Sequence, residues 1–222
     1  MQTGPEYRPE NYHKLTFSML YYPNERHLLP LSHDEVVHGK ATVLQKMHGE
    51  YDGKFPQGRA LYMYMMTHPG KKLNFMGGEF GQLREWDEKR EQDWDLRRYP
   101  LHDGFYHYMA ALNHIYLESP ALWAQDYEAQ GFQWLDCHRE SQCLYAFERR
   151  GGGRRMAAVF NFSDAEQAFE IPAEGSGAQV RLYSDWQPYG GQTPLGQAPC
   201  RLAQGCLQGA LAPFSAVLAE LT

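Results

Sequence analysis

Nothing in the 222-residue chain approaches the roughly 18 consecutive apolar residues that a membrane-spanning helix needs. The opening residues, Met1-Gln2-Thr3-Gly4-Pro5-Glu6, contain no apolar stretch of the kind a secretory leader carries, so a cytoplasmic location is the default expectation. Positive charge is in short supply. Against 27 Asp and Glu stand 21 Lys and Arg, giving a formal net charge of −6 and a pI near 5.9. That balance argues against nonspecific binding to nucleic acid or to an anionic membrane, both of which need basic patches. Cysteine is scarce as well. Cys137 and Cys143, and Cys200 and Cys206, are each separated by five residues, not by the two to four of a zinc knuckle. Reduced, buried thiols in strands are the expected role. Low-complexity segments and internal repeats are absent.

Aromatic residues are plentiful, at 14% of the chain with 15 Tyr and 5 Trp. Flat rings with polar tips suit sugar faces, and they equally suit ordinary cores and rims. The 43% hydrophobic content supports a real core, in one large domain or two small ones.

Along the chain, residues 1–14 are polar and contain Pro5 and Pro9, which predicts an irregular arm. Residues 15–21 are apolar and aromatic, a helical turn or a strand, ended by Pro23-Asn24. Leu28 to Leu31 has the length of one fully buried strand, expected to be irregular at Pro30, which lacks a ladder donor. Gly39, Gly49, Gly53 and Pro56 punctuate a loop expected to run to about residue 56. Residues 57–68 read as a helix, with Leu61, Met65 and His68 on one face and Tyr62 and Met66 beside them, stopped by Pro69-Gly70. Leu73 to Met76 predicts a second short buried strand, turned by Gly77-Gly78 so that Glu79 follows on the rim. Strand, helix, strand is the unit of a parallel α/β architecture. Residues 81–104 read as a long rim loop and residues 105–118 as a second helix, with Tyr108, Leu112, Ile115 and Tyr116 as its apolar face. From about residue 121 the texture changes. Short apolar runs at Phe132 to Leu135, Cys143 to Phe147, Met156 to Phe162, Val180 to Tyr183 and Phe214 to Leu218 alternate with turns such as Gly151-Gly152-Gly153. That spacing predicts an all-β sandwich beginning near residue 120.

The chain is organised around the end of the first strand. There the apolar run stops in Ser32-His33-Asp34-Glu35-Val36-Val37-His38-Gly39-Lys40, a cluster of ionisable groups. In a (β/α)8 barrel the carboxyl ends of the strands are where catalytic groups stand. His33 and His38 are five apart, roughly 140° around a helix, so they do not form the four-apart pair of a zinc peptidase. Glu35-x-x-His38 is half of a di-metal carboxylate motif with no second copy. No metal site and no cofactor is expected.

Leu29-Pro30-Leu31-Ser32-His33-Asp34-Glu35-Val36-Val37-His38-Gly39-Lys40 resembles the last catalytic motif of the glycogen (1,4-α-glucan) branching enzymes of the α-amylase superfamily. Lys71 to Phe80 resembles that family's final barrel strand and the turn after it. Arg84-Glu85-Trp86, followed by Asp93-Trp94, is similar to the next loop, in the same order and spacing. The resemblance implies an α/β plus all-β chain. Residues 1–120 would be the last strands and helices of a (β/α)8 barrel, and residues 121–222 a C-terminal antiparallel β-sandwich. It implies cleavage of an α-1,4-glucan and transfer of the segment to a 6-hydroxyl with retention, so the partner is an α-glucan.

Retaining transfer needs a nucleophilic carboxylate and an acid/base carboxyl about 5–5.5 Å apart. The superfamily adds a third carboxylate that grips ring hydroxyls as the sugar distorts; by position in the motif this is Asp34. His33 is implied at the same subsite. Glu35, His38, Lys40, Glu79, Trp86 and Trp94 are the further candidates for substrate contact. The motifs of the nucleophile and the acid/base do not occur here. Only two of eight barrel strands are expected, and Met1 would fall late in the barrel. The expectations that follow are of the tail of a longer polypeptide, inactive by itself and partnered by the missing N-terminal part. In it, residues 121–222 fold independently while residues 1–120 are unstable alone. Two other readings stay open: a non-catalytic glucan-binding or structural module, and another α-amylase relative such as a trehalose-forming hydrolase or a debranching enzyme.

Overall fold

A computed structural model of the chain describes residues 1–22, 26–37 and 39–222. The expectations placed on Pro23, Asn24 and His38 lie outside these residues.

The second half of the chain forms two antiparallel sheets. Strands β3 (Phe132–Arg139), β4 (Leu144–Gly151), β5 (Arg154–Asn161), β7 (Ala178–Tyr183) and β10 (Ser215–Leu221) make a five-stranded sheet in the order β3-β4-β5-β10-β7. Strands β6 (Gln167–Pro172), β8 (Cys200–Ala203) and β9 (Cys206–Leu211) make a smaller sheet in the order β6-β9-β8. Strands β4, β5 and β10 are buried almost throughout, so both of their faces are covered. This is why Ala157-Ala158-Val159-Phe160 and Ala216-Val217-Leu218-Ala219 read as continuous apolar runs rather than alternating ones.

A long helix, α2 (Tyr51–Thr67), packs against β5 and β10; α1 (His13–Thr16) is a single turn before it, and α3 (Pro100–Glu118) lies alongside α2. Tyr64 of α2 sets its ring edge-on to Phe160 at 5.3 Å and Phe147 at 6.0 Å. Helices and sheets share one contiguous hydrophobic core. Where α2 and α3 cross, a Cβ on Gly58 would stand 3.1 Å from the Phe105 ring and 3.2 Å from Leu44, so the smallest residue permits the close approach.

The helix starts before the expected loop ends. Gly53 and Pro56 lie inside α2, whose first turn is Tyr51 to Lys54. Pro56 takes the intrahelical partner from the Asp52 carbonyl, a local loss set against the complete burial of its neighbour Phe55 against Tyr51, His102 and Phe105. Apolar burial is not confined to one face, because α2 lies between α3 and the sheet. Helix α3 likewise begins at Pro100 rather than 105, with the proline in its first turn, where a missing N–H has no consequence.

The amino-terminal arm is not irregular. Turns at Pro5–Tyr7 and Pro9–Asn11 lead into α1 and a further 3-10 turn, Phe17–Leu20. Arg8 donates to the Phe162 carbonyl at 2.7 Å, and Tyr12 donates to the Leu144 carbonyl at 2.6 Å and stacks on Tyr145 at 4.0 Å. These two buried side chains fasten the arm to β4 and to the residue that follows β5.

Strands β1 (Leu28–Leu31) and β2 (Lys71–Asn74) pair in parallel and are connected through α2. Two expectations fail here. Neither strand is buried: Leu28 is 60% exposed and Leu73 41%, because β1 and β2 form a sheet of two strands among the described residues. Pro30 causes no irregularity either; the register runs unbroken from Leu28↔Lys71 to Leu31↔Asn74. Lys71 N–H donates to the His27 carbonyl and Phe75 N–H to the Leu31 carbonyl. Odd-numbered residues of β1 therefore face β2, and Pro30 turns its missing donor to the opposite edge, where no ladder bond is lost.

All four cysteines are free thiols. Cys143 and Cys200 are buried, and burial pushes the Cys200 thiol up to about 12. Cys137 and Cys206 are only partly covered. Among the described residues no helix is long and apolar enough to cross a membrane, and no three His, Cys, Asp or Glu side chains are grouped to hold a metal ion.

Candidate functional site

The carboxyl ends of β1 and β2 lie side by side, because the strands are parallel and in register. Each runs straight into a tight turn. After β1 comes a 3-10 turn, His33–Glu35, capped by Ser32, whose Oγ accepts the Asp34 N–H at 3.3 Å. Capping is thus done by Ser32, and the Asp34 carboxylate is left to point outward, its side chain 69% exposed. His33 Nε2 lies 3.4 Å from Asp34 Oδ1. After β2 the chain turns through Gly77 (φ 90°) and Gly81 (φ 67°), both left-handed, which frame the short turn Gly78–Phe80. Glu79 sits in this turn, half-buried. A Cβ on Gly78 would collide with Asn74 Oδ1 and lie 2.6 Å from Tyr62 Oη, so glycine there leaves room for the bond that Tyr62 donates to Asn74 at 3.0 Å.

Segment 84–93 folds over these turns. Trp86 donates its backbone N–H to the Val36 carbonyl at 2.9 Å, and its ring meets Phe75 edge-on at 5.4 Å and His33 at 6.2 Å. The Glu85 carboxylate accepts two backbone N–H groups of the loop after β1, from Gly39 at 2.8 Å and Ala41 at 2.7 Å. Arg84 holds Asp93 through Nε at 3.1 Å and Nη2 at 3.0 Å. Glu35 pairs with Lys46, whose ammonium lies 3.6 Å from its carboxylate and also donates to its backbone carbonyl. Between the turns lies a mainly apolar cleft bordered by Val36, Tyr62, Phe75 and Trp86.

The structure therefore gathers His33, Asp34 and Trp86 into one cluster, with Glu35 on its Lys46 side. Lys40 is exposed in the loop that Glu85 holds. Trp94 stands apart from that cluster, its ring 4.7 Å from Phe80 and 45% exposed, bordering an open groove with Tyr99. Sequence reasoning passed over Glu85, Lys46 and Asn74. Glu85 lay inside the Arg84-Glu85-Trp86 match; its signal was present but was assigned to the tryptophan beside it.

An outward carboxylate beside an imidazole and an indole, at the mouth of parallel strands, can hydrogen-bond vicinal hydroxyls while a ring face lies on apolar carbon. Known proteins show the same architecture. Residues 134–222 match the family described as "Alpha amylase, C-terminal all-beta domain". An alpha-amylase from H. orenii superposes on 88% of the chain and 39% of its own, with a TM-score of 0.56 at 13% identity. The isomaltulose synthase PalI from Klebsiella sp. LX3 superposes on 75% of the chain and 38% of its own, with a TM-score of 0.52 at 16% identity. At such identity these two speak for the fold alone.

Sequence relatives are more particular. The 1,4-alpha-glucan branching enzyme GlgB of Bacillus cereus (strain B4264) is 43% identical over 196 residues, 86% of this chain and 30% of the relative. The enzyme of the same name from Bacillus mycoides (strain KBAB4) is 46% identical over 167 residues, 74% of this chain and 26% of the relative. Over most of its length the chain is a homologue of the 1,4-alpha-glucan branching enzymes, and it spans less than a third of the length of the relatives it matches.

Proposed function

We propose that this chain supplies one wall of the active site, and the C-terminal β-sandwich, of a branching enzyme. In this reading β1-α2-β2-α3, within residues 1–120, is the closing part of a (β/α)8 barrel, and residues 121–222 are the sandwich behind it. The enzyme cleaves an α-1,4-glucan, holds the segment covalently and transfers it to a 6-hydroxyl, forming an α-1,6 branch. The observation that carries the reading is the Ser32-capped turn that presents Asp34 outward at the carboxyl end of a parallel strand.

Asp34 acts as the transition-state stabiliser. As the donor ring flattens toward an oxocarbenium ion its hydroxyls become better donors, so a fixed carboxylate binds the distorted ring more strongly than the relaxed one. His33, 3.4 Å away, bonds a hydroxyl of the same sugar. Trp86 offers its exposed edge to the glucan, and Trp94 a separate stacking face further along the chain. Glu35, Lys40 and Glu79 line the approach. The nucleophile and the acid/base belong to the two-thirds of the relatives' length that this chain does not span, so the 222 residues alone are expected to bind glucan without branching it.

The test is Asp34→Asn in the polypeptide that carries these residues together with the rest of the barrel, with α-1,6 linkages counted after debranching. A fall in kcat of about 100-fold or more, with the thermal midpoint unchanged, is expected, in line with the loss of one transition-state contact. Branching at the normal rate refutes the assignment.

A further inference from the structure

The loop that carries Asp34 has little of its own to hold it still. Its turn is a single 3-10 turn with a side-chain cap, and β1 beneath it is paired to one strand among the described residues. The loop then passes through two left-handed residues, Gly39 (φ 83°) and Ala41 (φ 61°). Alanine has no intrinsic reason to adopt that region; a left-handed non-glycine residue costs roughly 1–2 kcal/mol. Some contact outside the loop must therefore set its path.

We infer that Glu85 is a positioning residue for the Asp34 loop: its carboxylate clamps the backbone N–H groups of Gly39 and Ala41, and so fixes the loop that presents Asp34 and His33. This rests on the proposed role of Asp34. The geometry is that of an anion in a backbone nest. Alternate N–H groups, from residues 39 and 41, converge on the two oxygens of one carboxylate at 2.8 and 2.7 Å. The residue after it completes the fastening. Trp86 N–H donates to Val36 at 2.9 Å, and the indole presses on Phe75 and His33. Two adjacent residues of one loop thus hold the other loop at both of its ends, after the 3-10 turn and at the left-handed bend. Glu85 is in turn held in place from its own side, because Arg84 is pinned to Asp93 by its guanidinium and to the Glu91 carbonyl by Nη2.

A carboxylate is required for this. One glutamine oxygen can replace one acceptor, but the amide NH2 would face the second N–H donor. Glu85→Gln should therefore keep part of the clamp and Glu85→Ala none of it. A lost clamp leaves the chemistry of Asp34 intact but lets its carboxylate wander, and displacement of about 1 Å at a transition-state contact costs on the order of 100-fold. The effect belongs in kcat rather than KM, since glucan is gripped along many rings and only the distorting ring needs Asp34.

The experiment uses the complete barrel-bearing polypeptide and compares Glu85→Ala, Glu85→Gln and Asp34→Asn. The expected result is a loss of kcat of about 10–100-fold for Glu85→Ala, a smaller loss for Glu85→Gln and KM within about threefold for both. Amide exchange at residues 39 and 41 should speed up about tenfold or more in Glu85→Ala, while the core strands stay protected. If Asp34→Asn is inactive and Glu85→Ala keeps wild-type kcat, the clamp is refuted and the role of Asp34 stands. If Asp34→Asn is itself fully active, the reading on which the clamp rests fails with it. Should Glu85→Ala not fold, Glu85→Gln decides: faster exchange at residue 41 or 39 with reduced kcat supports the clamp, and neither change overturns it.

Discussion

Asp126→Asn should be among the most damaging single-atom changes in this chain. Asp126 lies after α3, with its side chain 1% exposed, and its Oδ1 accepts from Arg149 Nη2 at 2.8 Å. Arg149 is fully buried on β4, between Phe132 of β3 and Met156 of β5. Its other nitrogens donate to the carbonyls of Gly131 at 3.0 Å and Thr67 at 2.7 Å, so one guanidinium joins β4, the end of α2 and the segment before β3. The second carboxylate oxygen takes Lys71 at 2.9 Å, tying in the start of β2. Asparagine preserves shape and one acceptor but removes the only charge that faces Arg149 at hydrogen-bond distance among the described residues. Losing one member of a buried ion pair leaves an uncompensated charge, at a cost of about 3–5 kcal/mol. The half-exposed Lys71 pair adds no more than about 1 kcal/mol. Against a typical domain stability of about 5–15 kcal/mol, that is about a fifth of the total or more.

Urea unfolding of wild type, Asp126→Asn, and Asp126→Asn with Arg149→Met measures this directly, from midpoints at unchanged slope. The second substitution removes the stranded cation, so the double variant should be more stable than the single one. A loss under 1 kcal/mol for Asp126→Asn, or a double variant no more stable than the single, refutes the reasoning.

His68 supplies a pH prediction. Its ring is buried between Ser18 Oγ and the Pro69 carbonyl, both at 2.8 Å, and burial holds its pKa down at about 4. The unfolded histidine takes up its proton near pH 6.5 and the folded one only near 4, so the unfolded state binds more protons between those values. Stability must then fall as pH drops through that window, by up to about 3 kcal/mol, and the fall should be absent from the difference between wild type and His68→Gln only if this argument is wrong. A truncation to residues 121–222 is predicted to bind anilinonaphthalene sulfonate and to associate. It uncovers Phe147, Phe160 and Phe162, on which Tyr64 packs, and strands Arg149 without the Thr67 carbonyl. A stable, dye-free monomer would instead uphold independent folding of the sandwich.

The parts of the fold that could be read from the letters are those whose burial is uniform. Strands β4, β5 and β10 are enclosed on both faces, and their apolar runs stand out for that reason. The smaller sheet was missed because its signals contradict strand. Gly209 interrupts β9 and Pro172 ends β6, yet a Cβ on Gly209 would approach Cys200 Cα to 2.8 Å, so that glycine is what lets β8 pair there. Proline misled twice, for different reasons. Pro30 lacks a donor that its side of the strand does not use, which only the register shows, whereas Pro56 gives up one helical bond in the second turn of α2 while its neighbour Phe55 is completely buried.

The site divides along the same line. His33 and Asp34 stand out in the sequence as candidates because a dense run of ionisable groups after an apolar strand is a chemical signature carried by consecutive residues. Glu85 carries no such signature, since what it does is fixed by two backbone N–H groups more than forty residues away. Side chains proposed to contact substrate announce themselves by type, whereas side chains that hold backbone announce themselves only by geometry. The left-handed Ala41, which nothing in the sequence marks, is the structural clue. A non-glycine residue held at positive φ beside a proposed reacting group directs attention to the contact that holds it, here the Glu85 carboxylate on the Ala41 N–H.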